Sequence, residues 1–70
     1  MKVLISSREL EILRKSVDGL TAQQIANDLK VSEQTISTSQ NAILLRTGER
    51  NIANALLALA KRGFILTDLN

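Results

Sequence analysis

Three glycines divide this sequence into segments that each carry the apolar spacing of a helix. Gly19, Gly48 and Gly63 stand directly after such segments. Glycine is common at this position because it adopts the left-handed conformation that ends a helix without a steric penalty. The chain contains no proline that would interrupt a segment. This punctuation predicts a chain built of helices.

Each segment also begins near a short polar side chain that can accept a hydrogen bond from the first backbone amides of a helix. These N-cap candidates are Ser6, Thr21, Ser32 and Asn51. The first two are followed three residues later by Glu9 and Gln24, which completes a capping box. The start and stop signals together predict four helices, over about Ser7–Asp18, Ala22–Leu29, Glu33–Thr47 and Ile52–Arg62.

Apolar residues within these helices recur at helical spacing, which predicts the faces that form the core. They are Leu10, Ile12, Leu13 and Val17 in the first helix, Ala22, Ile25, Ala26 and Leu29 in the second, Ile36, Ile43 and Leu44 in the third, and Ile52, Ala55, Leu56 and Leu59 in the fourth. We find no strand alternation, internal repeat or linker. The prediction is a single all-α domain over residues 1–70, in which Thr67 to Asn70 fray.

The residue types that are missing exclude most kinds of catalysis. The chain has no His, Cys, Tyr or Trp, so the usual nucleophiles, general bases and soft metal ligands are absent. The glycines are too far apart for a phosphate-binding loop, and 70 residues leave little room for a substrate cavity. We therefore predict no enzyme activity, no catalytic residue, no metal, no cofactor and no small-molecule ligand.

Apolar runs in this sequence are far shorter than the roughly 18 residues that a membrane span needs. The N-terminal apolar stretch is also too short for a secretion signal and turns polar at once. These features predict a cytoplasmic protein with no membrane partner. A net charge of +2 favours anionic partners only weakly.

The connection between the second and third predicted helices is only three residues long, Lys30-Val31-Ser32. So short a connection forces the two helices to cross steeply, which is typical of a helix-turn-helix. Ala26 stands where the helices would meet and only a small side chain fits, and Ile36 would anchor the third helix to the core. The sequence predicts a helix-turn-helix over about residues 21–47.

A helix-turn-helix presents its second helix on the surface, where it can enter the DNA major groove, which is roughly 12 Å wide. Outward-facing residues of that helix with base-pairing potential are Gln34, Ser37, Thr38 and Asn41. Asn and Gln can form two hydrogen bonds with adenine, and Thr can offer its hydroxyl or touch a thymine methyl. An equally good interpretation of each residue is an ordinary solvated polar side chain.

Phosphate contacts are expected around this helix. The first turns of the second and third helices can point backbone amides at phosphates, which makes their caps, Thr21 and Ser32, candidates. Most basic residues are expected to be solvated, but Lys30 and Arg50 lie beside the third helix and are candidate phosphate ligands. We expect Arg8 to form an internal ion pair instead.

The ordered set of residues resembles the LuxR/GerE-type helix-turn-helix domain from Ile5 to about Ile65. The matching residues are Ile5-Ser6-x-Arg8-Glu9, Ile12-Leu13, Gly19-Leu20-Thr21, Ile25-Ala26-x-x-Leu29-x-Val31-Ser32-x-x-Thr35-Ile36, Ile43, Arg46, Gly48, Asn51, Ala55 and Gly63-Phe64-Ile65. The resemblance implies a four-helix domain that binds DNA through its third helix, dimerises largely through its fourth and regulates transcription, with stand-alone members of this length. It also implies phosphate contacts for Thr35 and Arg46.

The sequence departs from the family pattern in and after the third helix. The basic residue usual early in this helix is Ser37, and the common His two residues later is Ser39. The Leu that usually precedes the glycine is Thr47, and the Arg usual near the start of the fourth helix is Ile52. Arg46 is then the single basic residue of the third helix. These departures predict weak affinity for DNA or a need for a partner.

The fourth helix, within about residues 51–63, has a second apolar stripe that the core does not need. An apolar face left over after core burial usually marks an interface, although burial of the whole helix would explain it too. The predicted homodimer interface is Ala53, Leu57, Ala60 and Phe64.

Two functions remain open at this point. The first is a homodimeric regulator of transcription that binds double-stranded DNA with its third helix in the major groove. The second is a protein-interaction module that pairs through its fourth helix with another regulator, without strong DNA binding of its own. RNA polymerase or another regulator is a further candidate partner.

Overall fold

The computed structural model describes residues 2–68. In this part of the chain, one short strand precedes four helices and a second strand follows them. The order is β1 (Val3–Ile5), α1 (Ser7–Val17), α2 (Ala22–Leu29), α3 (Glu33–Thr47), α4 (Ile52–Arg62) and β2 (Phe64–Leu66). The four predicted helices are confirmed. Three have the predicted bounds, and α1 ends one residue earlier than expected.

Side-chain caps begin the helices as predicted. Ser6 Oγ accepts the backbone N–H of Glu9 at 3.0 Å, and Glu9 Oε1 accepts that of Ser6 at 2.9 Å. Thr21 and Gln24 form the same reciprocal pair before α2. The predicted caps of α3 and α4 each accept an amide hydrogen bond from three residues further on. These local bonds satisfy amides that have no partner within the helix.

The sequence shows no strand alternation, but the otherwise helical fold contains two short strands. β1 and β2 form a two-stranded parallel sheet in which Val3 lies opposite Phe64 and Ile5 opposite Leu66. Each strand is three residues long, too short to show a recognisable alternation of apolar and polar residues. Val3 and Ile5 are buried, so the sheet closes one side of the helical core.

The prediction that Thr67 to Asn70 fray is wrong where the structure describes them. The backbone N–H of Thr67 donates to the carbonyl of Ile5 at 2.9 Å. The Asp68 carboxylate accepts hydrogen bonds from both the backbone N–H and the hydroxyl of Ser7, at 3.1 and 3.0 Å. The Thr67 bond extends the strand pairing, and the hydrogen bonds from Ser7 lower the pKa of Asp68. Residues 69 and 70 lie outside the described residues.

The core consists of two groups of buried apolar side chains. The group between the sheet, α1, α3 and α4 is Val3, Ile5, Leu13, Ile43, Ala55 and Leu59. The group between α1, α2 and α3 is Ile12, Ile25, Ala26 and Ile36. The second group holds α2 against α3, and this contact fixes how α3 is presented on the surface.

Two core predictions need correction. Val17 is 42% exposed, because the chain turns at Gly19 and Leu20 packs against the second core group instead. Ala58, which was left out of the predicted core, is buried.

Thr47 replaces the usual apolar residue at the end of α3 and is also buried. Its hydroxyl donates to the carbonyl of Ile43 at 2.9 Å.

Candidate nucleic-acid interface

Lys30 is the centre of the turn that joins α2 to α3. It adopts the left-handed conformation, with φ 59° and ψ 44°. Its backbone N–H and that of Val31 both donate to the carbonyl of Ala26. Many helix-turn-helix motifs have glycine in this turn, and here a lysine adopts the conformation that glycine favours. The turn therefore keeps its tight geometry and places a cation beside the start of α3.

Ala26 lies at the crossing of α2 and α3, as predicted. It is 3% exposed and belongs to the same core group as Ile25, Ile12 and Ile36. Three isoleucines around one methyl group leave little space for a larger side chain. This close contact makes the helix-turn-helix a rigid unit.

One face of α3 is exposed and polar over its first half. Gln34, Thr38 and Asn41 are exposed and follow one another at intervals of four and three residues, which places them on one side of a helix. Gln34 Nε2 donates to Thr38 Oγ1 at 3.3 Å. Ser37 lies at the edge of this face and is half-buried. The structure thus brings three of the four predicted base-contacting residues together on an open surface.

Leu45 continues the same face, four residues after Asn41 and seven after Thr38. Its side chain is 84% exposed, the largest fraction among the exposed large hydrophobic residues of the described chain. The sequence analysis assigned it no role. Its spacing from the polar residues could have identified it, since residues four and seven apart share a helix face.

The hydroxyls of Ser32 and Thr35 lie together at the start of α3. Their oxygens are 2.9 Å apart, and Ser32 Oγ also accepts the backbone N–H of Thr35 at 3.1 Å. The positive end of the helix dipole favours an anion here, although Glu33 in the same turn opposes it. Thr21 is exposed in the equivalent position before α2. Each of these predicted phosphate contacts is therefore accessible.

Arg46 is partly occupied by contacts within the chain. Its Nη1 donates to Glu9 Oε1 at 2.6 Å and to the carbonyl of Leu4 at 3.3 Å. Burial raises the pKa of Glu9, but the hydrogen bonds from Arg46 and Ser6 outweigh burial and hold the pKa below its ordinary value of 4.5. Within residues 2–68, the other three N–H donors of the guanidinium have no hydrogen-bond partner. Arg46 can still offer them to a phosphate.

The expectation that Arg8 forms an internal ion pair is wrong. The ion pairs found among the described residues are Arg46–Glu9 and Lys15–Asp28. The latter joins α1 to α2, and the hydrogen bond to Asp28 raises the pKa of Lys15. Like Arg8, the predicted phosphate ligands Lys30 and Arg50 are exposed.

The second apolar stripe of α4 lies outside the core. Ala53, Leu57 and Ala60 are exposed, with Leu57 at 54%, and Phe64 at the start of β2 is 38% exposed. The alternative that the whole helix is buried is therefore wrong. The role of these residues in a homodimer remains a prediction.

No group of three or more His, Cys, Asp or Glu side chains within residues 2–68 is placed to hold a metal ion. None of the helices in this part of the chain has the length and apolarity that a membrane span requires.

Residues 3–59 match the sequence profile of the family described as bacterial regulatory proteins, luxR family. The chain belongs to this family. The match includes both helices of the helix-turn-helix and confirms the predicted resemblance. The luxR family is one of regulators of transcription that carry a DNA-binding helix-turn-helix domain, and it is not a class of enzymes.

This luxR-family chain is also similar to two individual proteins. The solved structure of the transcription factor GerE superposes with a TM-score of 0.76 at 27% identity, covering 84% of this chain and 88% of that chain. The nitrate/nitrite response regulator protein NarP of Escherichia coli (strain K12) is 34% identical over 61 residues, which are 86% of this chain and 28% of NarP. The luxR-family chain thus spans less than a third of the length of NarP and most of the length of GerE.

Proposed function

We propose that this luxR-family domain binds double-stranded DNA and regulates transcription, with α3 in the major groove. The observation that carries the proposal is the open polar face of Gln34, Thr38 and Asn41 on a helix that the second core group holds rigidly. A sequence-specific site needs donors and acceptors in fixed positions, and a packed helix-turn-helix supplies them.

The spacing of the polar residues suits successive base pairs. Gln34 and Asn41 are seven residues apart, about 10 Å along a helix that rises about 1.5 Å per residue. That distance is about three base-pair steps of 3.4 Å. The two amides would contact bases about three pairs apart, with Thr38 between them and Ser37 at the edge of the contact.

Phosphate contacts would flank this base-contacting face. The caps Thr21 and Ser32 offer helix N-termini, and Thr35 adds a hydroxyl beside Ser32. The cations proposed to contact phosphates are Lys30, Arg46 and Arg50. Such contacts fix the position of a protein on DNA but carry no sequence information.

We also propose that the domain acts as a homodimer through the exposed stripe of α4 formed by Ala53, Leu57, Ala60 and Phe64. A twofold axis through this stripe would place two copies of α3 on two related half-sites, so that the preferred DNA site would be palindromic. The exposure of Leu57 supports the proposal, because a single domain gains nothing from an apolar stripe in water.

One alternative function is favoured by a specific observation. The exposed face of α3 at Gln34, Thr38 and Asn41 carries no charge, and the one cation of this helix, Arg46, is partly held by Glu9. A module that acts by pairing with another regulator through α4 would not need a positively charged face on α3 for DNA binding.

The test is a titration of the domain with duplexes chosen from a random library, repeated over a range of salt concentrations. We expect the logarithm of the association constant to fall linearly with the logarithm of salt. Arg46→Ala should lower that slope by about one unit on every duplex. Asn41→Ala should instead reduce the preference for the chosen site by roughly 1–3 kcal/mol.

Asn54→Ala is the matched control, because Asn54 is an exposed asparagine on α4, and it should change neither quantity. Absence of salt-dependent binding to any duplex would contradict the proposed function. If the wild type then still self-associates, the protein-interaction module becomes the better explanation.

A further inference from the structure

The side chain of Leu45 is large and apolar, but it does not pack in the core. It is 84% exposed, whereas the residues on both sides of it make contacts within the domain. Leu44 packs against the first core group, and Arg46 bonds to Glu9 and to the Leu4 carbonyl. These contacts fix the rotation of α3 about its axis at this point. Leu45 is therefore held facing outward.

The side chain lies in line with the proposed base contacts. Positions 34, 38, 41 and 45 follow the spacing of one helix face, and among the described residues of α3 Leu45 is the one exposed large apolar side chain. Four residues separate it from Asn41, about 6 Å along the helix axis. This distance is about two base-pair steps beyond the base that Asn41 would contact.

We propose that Leu45 contacts the C5-methyl group of a thymine and so determines specificity at one end of the site. The inference rests on the proposed function, since it requires α3 to lie in the major groove. Leucine cannot hydrogen-bond, and the major-groove edges of the base pairs offer one apolar group that it can contact, the thymine methyl. A phosphate would be an unfavourable neighbour, because leucine would displace water from it without replacing the lost hydrogen bonds.

The experiment removes the methyl group without changing base pairing. Each thymine of the best duplex from the random library is replaced in turn by deoxyuridine, and the affinity of the wild type and of Leu45→Ala is measured. We expect one thymine, about two base pairs from the base that responds to Asn41→Ala, at which deoxyuridine weakens wild-type binding about fourfold. The same replacement should have no effect on Leu45→Ala.

Ile65→Ala is the control variant, since Ile65 is a half-exposed apolar residue on β2. It should keep the wild-type response to deoxyuridine. Circular dichroism of Leu45→Ala should match that of the wild type, because an exposed side chain contributes little to packing.

The outcomes separate this inference from the proposed function. If the duplex is bound with sequence preference but no deoxyuridine position depends on residue 45, the inference is wrong and the proposed function stands. The same conclusion follows if the chosen site has no thymine at that distance. If no duplex is bound at all, the proposed function fails and this inference fails with it.

Discussion

Nη1 of Arg46, near the end of α3, lies 2.6 Å from Oε1 of Glu9, in the first turn of α1. The same carboxylate oxygen accepts the backbone N–H of Ser6 and so completes the cap of α1. One ionised side chain therefore stabilises the start of one helix and holds an arginine of another. Glu9 is 15% exposed and Arg46 is 42% exposed, so the pair is sheltered on the carboxylate side and open on the guanidinium side.

This pair predicts a pH-dependent stability. The pKa of Glu9 is lowered in the folded state, so its stabilising effect is complete above the pKa of the unfolded chain and is lost as pH falls through the folded pKa. We expect Glu9→Gln to be less stable than the wild type by about 1 kcal/mol at neutral pH. The difference should disappear in acid, below the ordinary pKa of 4.5. Urea unfolding at a series of pH values measures it.

Glu11→Gln serves as the control, because Glu11 is an exposed residue of the same helix. It should change stability little at any pH. If the effect of Glu9→Gln is constant across the pH range, its cause is packing and not the charge of the carboxylate.

The left-handed conformation of Lys30 predicts a stabilising substitution. A non-glycine residue pays roughly 1–2 kcal/mol for this conformation, and glycine adopts it freely at some cost in unfolded-state entropy. Lys30→Gly should therefore raise the free energy of unfolding by about 0.5–1 kcal/mol. Asn27→Gly, at an exposed position within α2, should instead lower it by about 1 kcal/mol. Equal effects of the two substitutions would mean that the turn is not strained.

The crossing of α2 and α3 predicts that position 26 accepts no larger side chain. Ala26 is 3% exposed among three isoleucines, so Ala26→Leu should force the helices apart and cost about 1–3 kcal/mol. Ala26→Ser adds a single oxygen and should be much milder. Thermal melts of both variants give the comparison. Equal midpoints would remove Ala26 from the contact that we assign to it.

The features predicted correctly from the sequence are those encoded within a few neighbouring residues. The Ser6–Glu9 and Thr21–Gln24 boxes join residues three apart, so a short pattern was enough to place the helix starts. The exposure of Leu57 was also predictable, because the core face of α4 is complete without it. Local rules of this kind set the helix bounds closely.

The features that were missed depend on residues distant in the chain. Val3 pairs with Phe64, which lies near the other end of the sequence. A three-residue strand is too short for a local pattern to predict its pairing partner. Arg46 and Glu9 are 37 positions apart, and their pairing depends on how α1 packs on α3. Leu45 is a different case: its helical position was available from the sequence, but its exposure depends on what packs beside α3.

The exposed stripe on α4 predicts how the proposed homodimer can be broken without unfolding the domain. Leu57 is 54% exposed and lies off the buried face formed by Ala55, Ala58 and Leu59. In a homodimer, Leu57→Arg would bury an unpaired charge at a cost of several kcal/mol, whereas on a wet surface it would cost little. We expect a folded monomer in sedimentation experiments, with an unchanged helical circular dichroism spectrum and weaker binding to a palindromic duplex.

Asn27→Arg adds the same charge to an exposed position on α2, outside the stripe on α4, so this variant should remain a dimer. The comparison isolates the position of the charge from its presence. If the wild type is already monomeric at high micromolar concentration, the proposed homodimer is wrong. If Leu57→Arg dimerises as well as the wild type, the contact between subunits uses another surface, and the stripe on α4 must be assigned to a different partner.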